Sequence, residues 1–156
     1  MSLASRYVLG VRVGVDATSY EDASRRVLRW ARRERSAYVC VASVHTTMEA
    51  YASAAFRRVV NEADLVTPEG RPLVWVLKSL GVKGPSQVRG ANLMTHVAER
   101  AARENVPIGL YDGTPELLET FVRILETQYP KIRVVCQVAP PFRLPTSEEN
   151  EVSSGS

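Results

Sequence analysis

The sequence predicts an α/β domain with a Rossmann-like, mostly parallel sheet and helices on both faces. Short apolar, β-prone runs alternate with longer segments of helical period as far as about residue 140. The run AYVCVAS (37–43) is short and continuously apolar, as in a strand that is covered on two sides. We therefore expect one domain over residues 1–140 and an irregular or disordered tail over residues 141–156, where the periodicity is lost.

The first helix is predicted within DATSYEDASRRVLRWARRERS (16–36), between a strand at 7–15 and the strand at 37–43. Thr18 or Ser19 can cap its amino end. Its arginines lie mostly toward the carboxyl end, where the helix dipole favours them, so they indicate a solvated face. The apolar face is expected to comprise Ala23, Val27, Trp30 and Ala31.

The remaining elements follow the same alternation. A helix begins after Ser53, with Phe56, Val59, Val60 and Ala63 on one side, and DLVT (64–67) is a strand. RPLVWVLKSLG (71–81) is a helix that is apolar nearly all round and ends at Gly81 in the C′ position. A further helix (91–105), a strand (106–111), a helix with Thr114 as N-cap and Pro115 next, and a strand (131–139) complete the pattern.

Composition narrows the function classes. The 156 residues are 45% hydrophobic and carry a formal net charge of +3, which permits an anionic ligand or a membrane surface but lacks the dense basic stripe of a nucleic-acid binder. No apolar run approaches the roughly 20 residues of a membrane span, and the first residues lack the apolar core of a signal peptide. Cys40 and Cys136 are interpreted as buried free thiols.

Candidate site residues are expected in the loops after strands, because ligands of parallel sheets gather at the carboxyl strand ends. These loops are 43–47, 67–71 and 111–115. Glu69 stands in the second loop, within Thr67-Pro68-Glu69-Gly70. Its carboxylate is equally compatible with a general base that takes a proton from an attacking hydroxyl and with a structural cap of the next helix.

The other two loops carry small polar groups. Ser43, His45 and Thr46 follow a buried strand and could hydrogen-bond a sugar, although a lone histidine is more often structural. Gly113 and Thr114 form a glycine turn at a helix amino end, which suits a phosphate or a sugar hydroxyl but also fits an ordinary capped turn. No metal-binding constellation is visible in the sequence.

Three stretches resemble the WecG/TagA/CpsF glycosyltransferases: ADLVTPEGRPLVWVLKSLG, GANLM and YDGTPELLETFVRILETQYPKIRVVCQVAPPFRLPTSEE. The resemblance runs from about Val8 to Glu149. It implies transfer of N-acetylmannosamine, its uronic acid or a related sugar from a UDP donor to a polyprenyl-diphosphate-linked acceptor, by an inverting, metal-independent reaction. It also implies a cytoplasmic location with peripheral contact at the inner membrane face, and products in teichoic acid or exopolysaccharide synthesis.

By the same resemblance, Glu69 occupies the position of the general base. The substrate-binding positions are Ser43, His45, Thr46, Gly70, Asn92, Gly113 and Thr114. The chain departs from the family at several of these: the family usually has Asp where Glu69 stands, often Asn where Ser43 stands, and Asp where Asn92 stands. Glutamate reaches one methylene further than aspartate, and misplacing a reacting group by about 1 Å can lower the rate about 100-fold.

Family members continue beyond the PPFR segment with a G-x-G-x-P-x-Q-E stretch associated with the UDP donor. The resemblance therefore implies that this chain lacks the family's C-terminal part. Two further expectations follow: completion by homo-oligomerisation, because an unpaired sheet edge favours association, or a non-catalytic sugar- or protein-binding role.

Overall fold

The computed structural model describes residues 5–8, 13–111 and 113–140, with side chains from Val13 onward. Its strands are β1 (Ser5–Val8), β2 (Val13–Asp16), β3 (Val39–Ala42), β4 (Leu65–Pro68), β5 (Ile108–Tyr111) and β6 (Val134–Val138). Its helices are α1 (Tyr20–Arg32), α2 (Val44–Ala52), α3 (Ala54–Glu62), α4 (Arg71–Ser79), α5 (Gly90–Glu104) and α6 (Pro115–Gln128). The alternation of strands and helices confirms the predicted α/β class. The predicted tail (141–156) lies outside the described residues.

The described strands form three hydrogen-bonded pairs. β3 runs parallel to β4, with Ala42 opposite Pro68, and β5 runs parallel to β6. β1 and β2 are antiparallel. The prediction of one strand over 7–15 is therefore wrong, because residues 5–8 and 13–16 form two strands that pair with each other. β2 lies beside β4 without a shared backbone ladder.

Helix boundaries follow the predicted capping chemistry. The Ser19, Ser53 and Thr114 side chains each accept a hydrogen bond from a first-turn backbone nitrogen of α1, α3 and α6. Gly81, at φ 80°, follows α4. Its nitrogen donates to the Lys78 carbonyl, and the next nitrogen, that of Val82, donates to the Leu77 carbonyl. This is the paired bond pattern that ends a helix at a left-handed glycine, so the predicted C′ role of Gly81 is confirmed.

Several predicted burial patterns are wrong in detail. In α1, Leu28 is buried and Ala31 is exposed, so the apolar face is rotated from the predicted one. In α3, Val60 is buried whereas Val59 is 51% exposed. α4 is apolar nearly all round, as predicted, but one of its apolar side chains, Trp75, is 64% exposed. Both cysteines are free, as predicted, but Cys40 is only half-buried and Cys136 is exposed.

In the described part of the chain, the core comprises three clusters. The first packs β2 and β4 against α2, α3 and α4, through residues such as Val13, Val66 and Leu77. The second joins α1, β4 and α5 around Leu65 and Leu93. The third joins α5, β5 and α6. Because α5 belongs to two clusters, it connects the β3–β4 pair to the β5–β6 pair.

Candidate functional site

The carboxyl ends of β3 and β4 lie side by side. The ladder continues one step past β4, since the Glu69 nitrogen donates to the Ala42 carbonyl over 2.9 Å. Ser43 and Glu69, the residues that follow the two strands, are therefore neighbours at one edge. This agrees with the rule that the strand ends of a parallel pair meet at the same edge.

The Glu69 side chain is half-buried and faces the amino end of α5. Its Oε1 accepts a hydrogen bond of 3.4 Å from the Gly90 nitrogen. Arg89, the N-cap residue of α5, makes no side-chain capping bond, so the Glu69 carboxylate takes that place. The positive end of the helix dipole favours the ionised carboxylate. Among the described residues, none hydrogen-bonds Oε2 of Glu69.

The four residues before α5 and Gly90, its first residue, are each hydrogen-bonded to another part of the chain. Ser86 Oγ donates to the Thr18 carbonyl over 2.6 Å, and Gln87 Nε2 donates to the Glu69 carbonyl over 2.6 Å. The nitrogens of the next three residues donate to the Pro68 carbonyl, the Tyr20 hydroxyl and Glu69 Oε1. We call residues 86–90 the tethered loop. It holds the amino end of α5 against Glu69.

Ser43, which follows β3, caps the amino end of α2. Its Oγ accepts from the Thr46 nitrogen over 3.2 Å and lies 3.1 Å from the Thr46 hydroxyl. Residues 44–47 were predicted as loop, but α2 begins at Val44, so His45 and Thr46 stand in its first turn. The structure thus keeps the Ser43 and Thr46 hydroxyls together at the edge that carries Glu69.

The remaining predicted positions are more dispersed. The His45 side chain is 83% exposed, with Nε2 3.4 Å from Glu49 Oε1, so it faces water beside an acidic neighbour. Gly70 is the N-cap of α4 and makes no side-chain cap. Asn92 is exposed in the first turn of α5, close in sequence to Gly90.

Gly113 and Thr114 belong to a different strand pair. They follow β5, and the β5–β6 pair shares no backbone ladder with β3–β4 in the described chain. Gly113 has φ 65°, which favours glycine. Thr114 Oγ1 accepts from the Leu117 nitrogen over 3.3 Å, which confirms the predicted cap of α6. Binding of substrate by any of these positions stays a prediction.

Sequence reasoning missed Asp16, the last residue of β2. Its Oδ2 accepts a hydrogen bond of 2.7 Å from the Val66 nitrogen, three residues before Glu69. Burial raises the pKa of the Asp16 carboxyl, while the Val66 hydrogen bond and the charge of Arg26 oppose that rise. The bond joins residues 50 positions apart, and no local pattern in the sequence signals it.

Two further observations concern metal binding and membrane crossing. Within the described ranges, no three His, Cys, Asp or Glu side chains are grouped so that they could hold a metal ion. No helix in the described part of the chain has the length and apolar character needed to cross a bilayer.

Comparison with known proteins gives the family. A search of curated proteins returned no match to the chain. The model of the "Glycosyl transferase WecG/TagA/CpsF family" matches residues 6–154, which is nearly the full length. The matched range includes both strand ends, the tethered loop and α5. The chain therefore belongs to the WecG/TagA/CpsF family of glycosyltransferases.

Proposed function

We propose that the chain transfers an N-acetylhexosamine-type sugar, either N-acetylmannosamine or its uronic acid, from a UDP donor to a polyprenyl-diphosphate-linked acceptor. The reaction would serve cell-surface polysaccharide synthesis, at the cytoplasmic face of the membrane. Family membership supports a sugar donor and an acceptor in general. The choice of sugar, nucleotide and lipid is our inference from the resemblance of the loop sequences.

The observation that carries the proposal is the placement of Glu69. The carboxylate lies at the carboxyl end of a parallel strand, with Oε1 held by the Gly90 nitrogen and Oε2 without a partner among the described residues. A held carboxylate with one available oxygen suits a general base, which must sit within hydrogen-bond reach of the proton that it removes. The hydrogen bond to Gly90 limits rotation of the carboxylate and so orients the available oxygen.

The proposed step balances without a metal. Glu69 takes the proton of the acceptor hydroxyl, whose oxygen attacks the anomeric carbon of the donor sugar. The bond from that carbon to the UDP oxygen breaks, and UDP leaves with the electron pair. Attack from the side opposite UDP inverts the anomeric configuration. The Ser43 and Thr46 hydroxyls, with Gly70 and Asn92, would contact the sugar, and the backbone at Gly113 and Thr114 would offer further donors.

The test combines binding with transfer. The chain is titrated with UDP-N-acetylmannosamine and UDP-N-acetylglucosamine, and transfer to a lipid-linked acceptor is then measured. Glu69→Gln keeps an oxygen for the Gly90 nitrogen but cannot accept a proton, so we expect transfer to fall by roughly 100- to 10,000-fold with folding preserved. Glu62→Gln, at an exposed position at the end of α3, is the matched control. Unchanged turnover in Glu69→Gln would rule out the base assignment.

One observation favours a second candidate, a non-catalytic sugar- or protein-binding relative. The Glu69 carboxylate and the Ser43 hydroxyl both cap helices, so each has a structural role that needs no catalysis. On this reading, UDP-sugar or partner binding persists without turnover. Glu69→Ala would then lower the free energy of unfolding by about 1 kcal/mol and would leave the binding of a UDP-sugar or partner unchanged.

A further inference from the structure

Two consecutive peptide nitrogens at the start of α5 are bound by side chains from different parts of the chain. The Arg89 nitrogen donates to the Tyr20 hydroxyl over 3.0 Å, and the Gly90 nitrogen donates to Glu69 Oε1 over 3.4 Å. The first N–H groups of a helix have no acceptor within the helix, so their partners come from outside it. Tyr20 and Glu69 therefore hold adjacent peptide groups at the amino end of α5.

Little conformational freedom separates these two hydrogen bonds. Peptide groups are planar, and consecutive Cα atoms lie about 3.8 Å apart. Only the φ and ψ of Arg89, at −81° and 141°, lie between the nitrogen that Tyr20 binds and the nitrogen of Gly90. A shift of the first peptide group therefore moves the second, and with it the donor that holds the Glu69 carboxylate.

The Tyr20 side chain is itself held in place by α5 and by the core. Its ring stacks on His96 of α5, with the ring centroids 4.8 Å apart and the ring planes at 20° to each other. The half-buried ring also packs against the core cluster that includes Leu65, Val88 and Leu93. Because the ring is fixed at these contacts, the hydroxyl has a defined position from which it can anchor the start of α5.

The Tyr20 bond reaches the tethered loop from outside the segment that carries Glu69. The Gln87 side chain and the Val88 nitrogen bond the carbonyls of Glu69 and Pro68, so these two bonds join the loop to the Glu69 segment itself. Tyr20 instead belongs to α1, which packs along α5. Its bond therefore fixes the amino end of α5 relative to a separate helix.

We propose that Tyr20 is a positioning residue for the Glu69 carboxylate and acts through the peptide groups of Arg89 and Gly90. The Tyr20 hydroxyl fixes the amino end of α5, and the Gly90 nitrogen then holds Oε1 so that Oε2 keeps one orientation toward the acceptor hydroxyl. The effect on sugar transfer rests on the proposed function, whereas the effect on the Gly90–Glu69 hydrogen bond does not.

The first test needs no substrate. Tyr20→Phe removes the hydroxyl and keeps the ring. Tyr38→Phe is the matched control, because the Tyr38 hydroxyl also bonds a backbone group, the Val59 carbonyl, over 2.7 Å. By nuclear magnetic resonance of the full chain, hydrogen exchange of the Gly90 amide should be about fivefold faster in Tyr20→Phe, as expected for loss of one typical hydrogen bond. Exchange at Gly90 that is unchanged, or that rises equally in the control, would overturn the proposal.

The second test uses sugar transfer from a radiolabelled donor. Tyr20→Phe should lower kcat roughly tenfold, less than the 100-fold or so that a displacement of about 1 Å produces, and should leave the KM for the UDP-sugar unchanged. In the Glu69→Gln background the same change should have no effect on kcat, because no base remains to be positioned. A residue that only stabilises the fold would lower kcat in both backgrounds, and that result would contradict a positioning role.

Together the two tests separate this inference from the proposed function. Faster exchange at Gly90 in Tyr20→Phe, in a chain that transfers no sugar, would support the positioning of Glu69 and sink only the proposed function. Transfer by the unchanged chain, with the same exchange rate and kcat in Tyr20→Phe, would support the proposed function and sink only the role of Tyr20.

Discussion

The carboxylate of Asp16 accepts a 2.7 Å hydrogen bond from the backbone nitrogen of Val66, and so links β2 to β4, two strands that share no backbone ladder. β4 leads directly into Glu69. A side chain thus supplies the acceptor that a neighbouring strand would otherwise provide.

Asp16→Asn should change how stability depends on pH. Burial raises the pKa of the Asp16 carboxyl, so the folded chain holds this proton at a pH at which the unfolded chain has lost it. The contribution of Asp16 to the free energy of unfolding therefore falls as pH rises from about 4 through the folded pKa. Asparagine does not titrate and still accepts from Val66. Relative to the variant, the unchanged chain should lose stability across that window, as measured by urea unfolding from pH 3.5 to 7.5.

A companion variant checks the hydrogen bond itself. Asp16→Ala removes the acceptor and should cost about 1–3 kcal/mol, because the Val66 nitrogen is left unpaired. If the free energies of unfolding of Asp16→Asn and the unchanged chain differ by the same amount at every pH, burial does not raise the pKa of Asp16 in the folded chain.

Arg100 should stabilise the contact of α1 with α5 in a salt-dependent way. It bonds Glu21 of α1, and its Nη1 lies 3.0 Å from Glu104 Oε1, whose other oxygen is 2.9 Å from Arg32. Arg100→Met keeps the apolar stem and removes the charge. We expect a loss of stability in urea unfolding at low salt that shrinks in 1 M salt, where the Debye length is about 3 Å.

The stability that the Arg100–Glu21 bond contributes to the unchanged chain also depends on pH, and the direction of this dependence follows from the pKa of Glu21. The hydrogen bond from Arg100 lowers the pKa of Glu21 in the folded chain. The stabilisation is thus present above the ordinary pKa of Glu21 and is lost as pH falls through the lowered one. Arg123→Met, at an exposed position of α6, is the control. An equal effect of the two variants would contradict the cross-helix role of Arg100.

Gly113→Ala should destabilise the start of α6 by two separable terms. The φ of 65° costs a non-glycine residue about 1–2 kcal/mol. An added Cβ would also lie 2.8 Å from Cδ2 at the end of the exposed Leu117 side chain, which must move, so this second term is the smaller one. Gly84→Ala isolates the first term, since Gly84 has φ 67° and its added Cβ meets nothing within 4 Å. Thermal unfolding should rank Gly113→Ala below Gly84→Ala, and Leu117→Ala in the Gly113→Ala background should narrow the gap. The opposite ranking would rule out the clash.

Glu69→Asp tests whether the longer side chain is matched to this site. The shorter side chain draws the carboxylate back from the Gly90 nitrogen, which is already 3.4 Å from Oε1. We expect sugar transfer to fall about 100-fold, with a loss of stability near 1 kcal/mol from the weakened cap. Transfer rates and urea midpoints are measured on the same preparation. A rate that matches or exceeds that of the unchanged chain would show that the site is built for the shorter acid.

The parts of the fold that were predicted correctly depend on local chemistry. Ser19, Ser53 and Thr114 cap helices through bonds that reach only three residues along the chain. Gly81 ends α4 through bonds within one turn. Residue type and spacing encode such interactions directly, so the sequence alone sufficed to place these helix ends.

The features that were missed depend on distant neighbours or on weak patterns. The first turn of α2 was predicted as loop although Val44, Met48 and Tyr51 recur at helical spacing. These three side chains are exposed, and the small residues Thr47 and Ala50 form the buried face of the helix, which is a weak apolar signal. The link from Asp16 to Val66 and the tethered loop join segments far apart in sequence. The contact of Glu69 with Gly90 likewise spans 21 residues and engages α5, not the helix that directly follows Glu69.

Ser43 caps α2 and is also proposed to contact the sugar, and these two roles make different demands on the side chain. Serine and asparagine are about equally good at closing the amino end of a helix, so either residue can begin α2 without loss of stability. They differ in what they present to a bound molecule, a single hydroxyl or an amide with both a donor and an acceptor. An exchange of serine and asparagine at this position can therefore change which ligand is preferred without changing the stability of the fold.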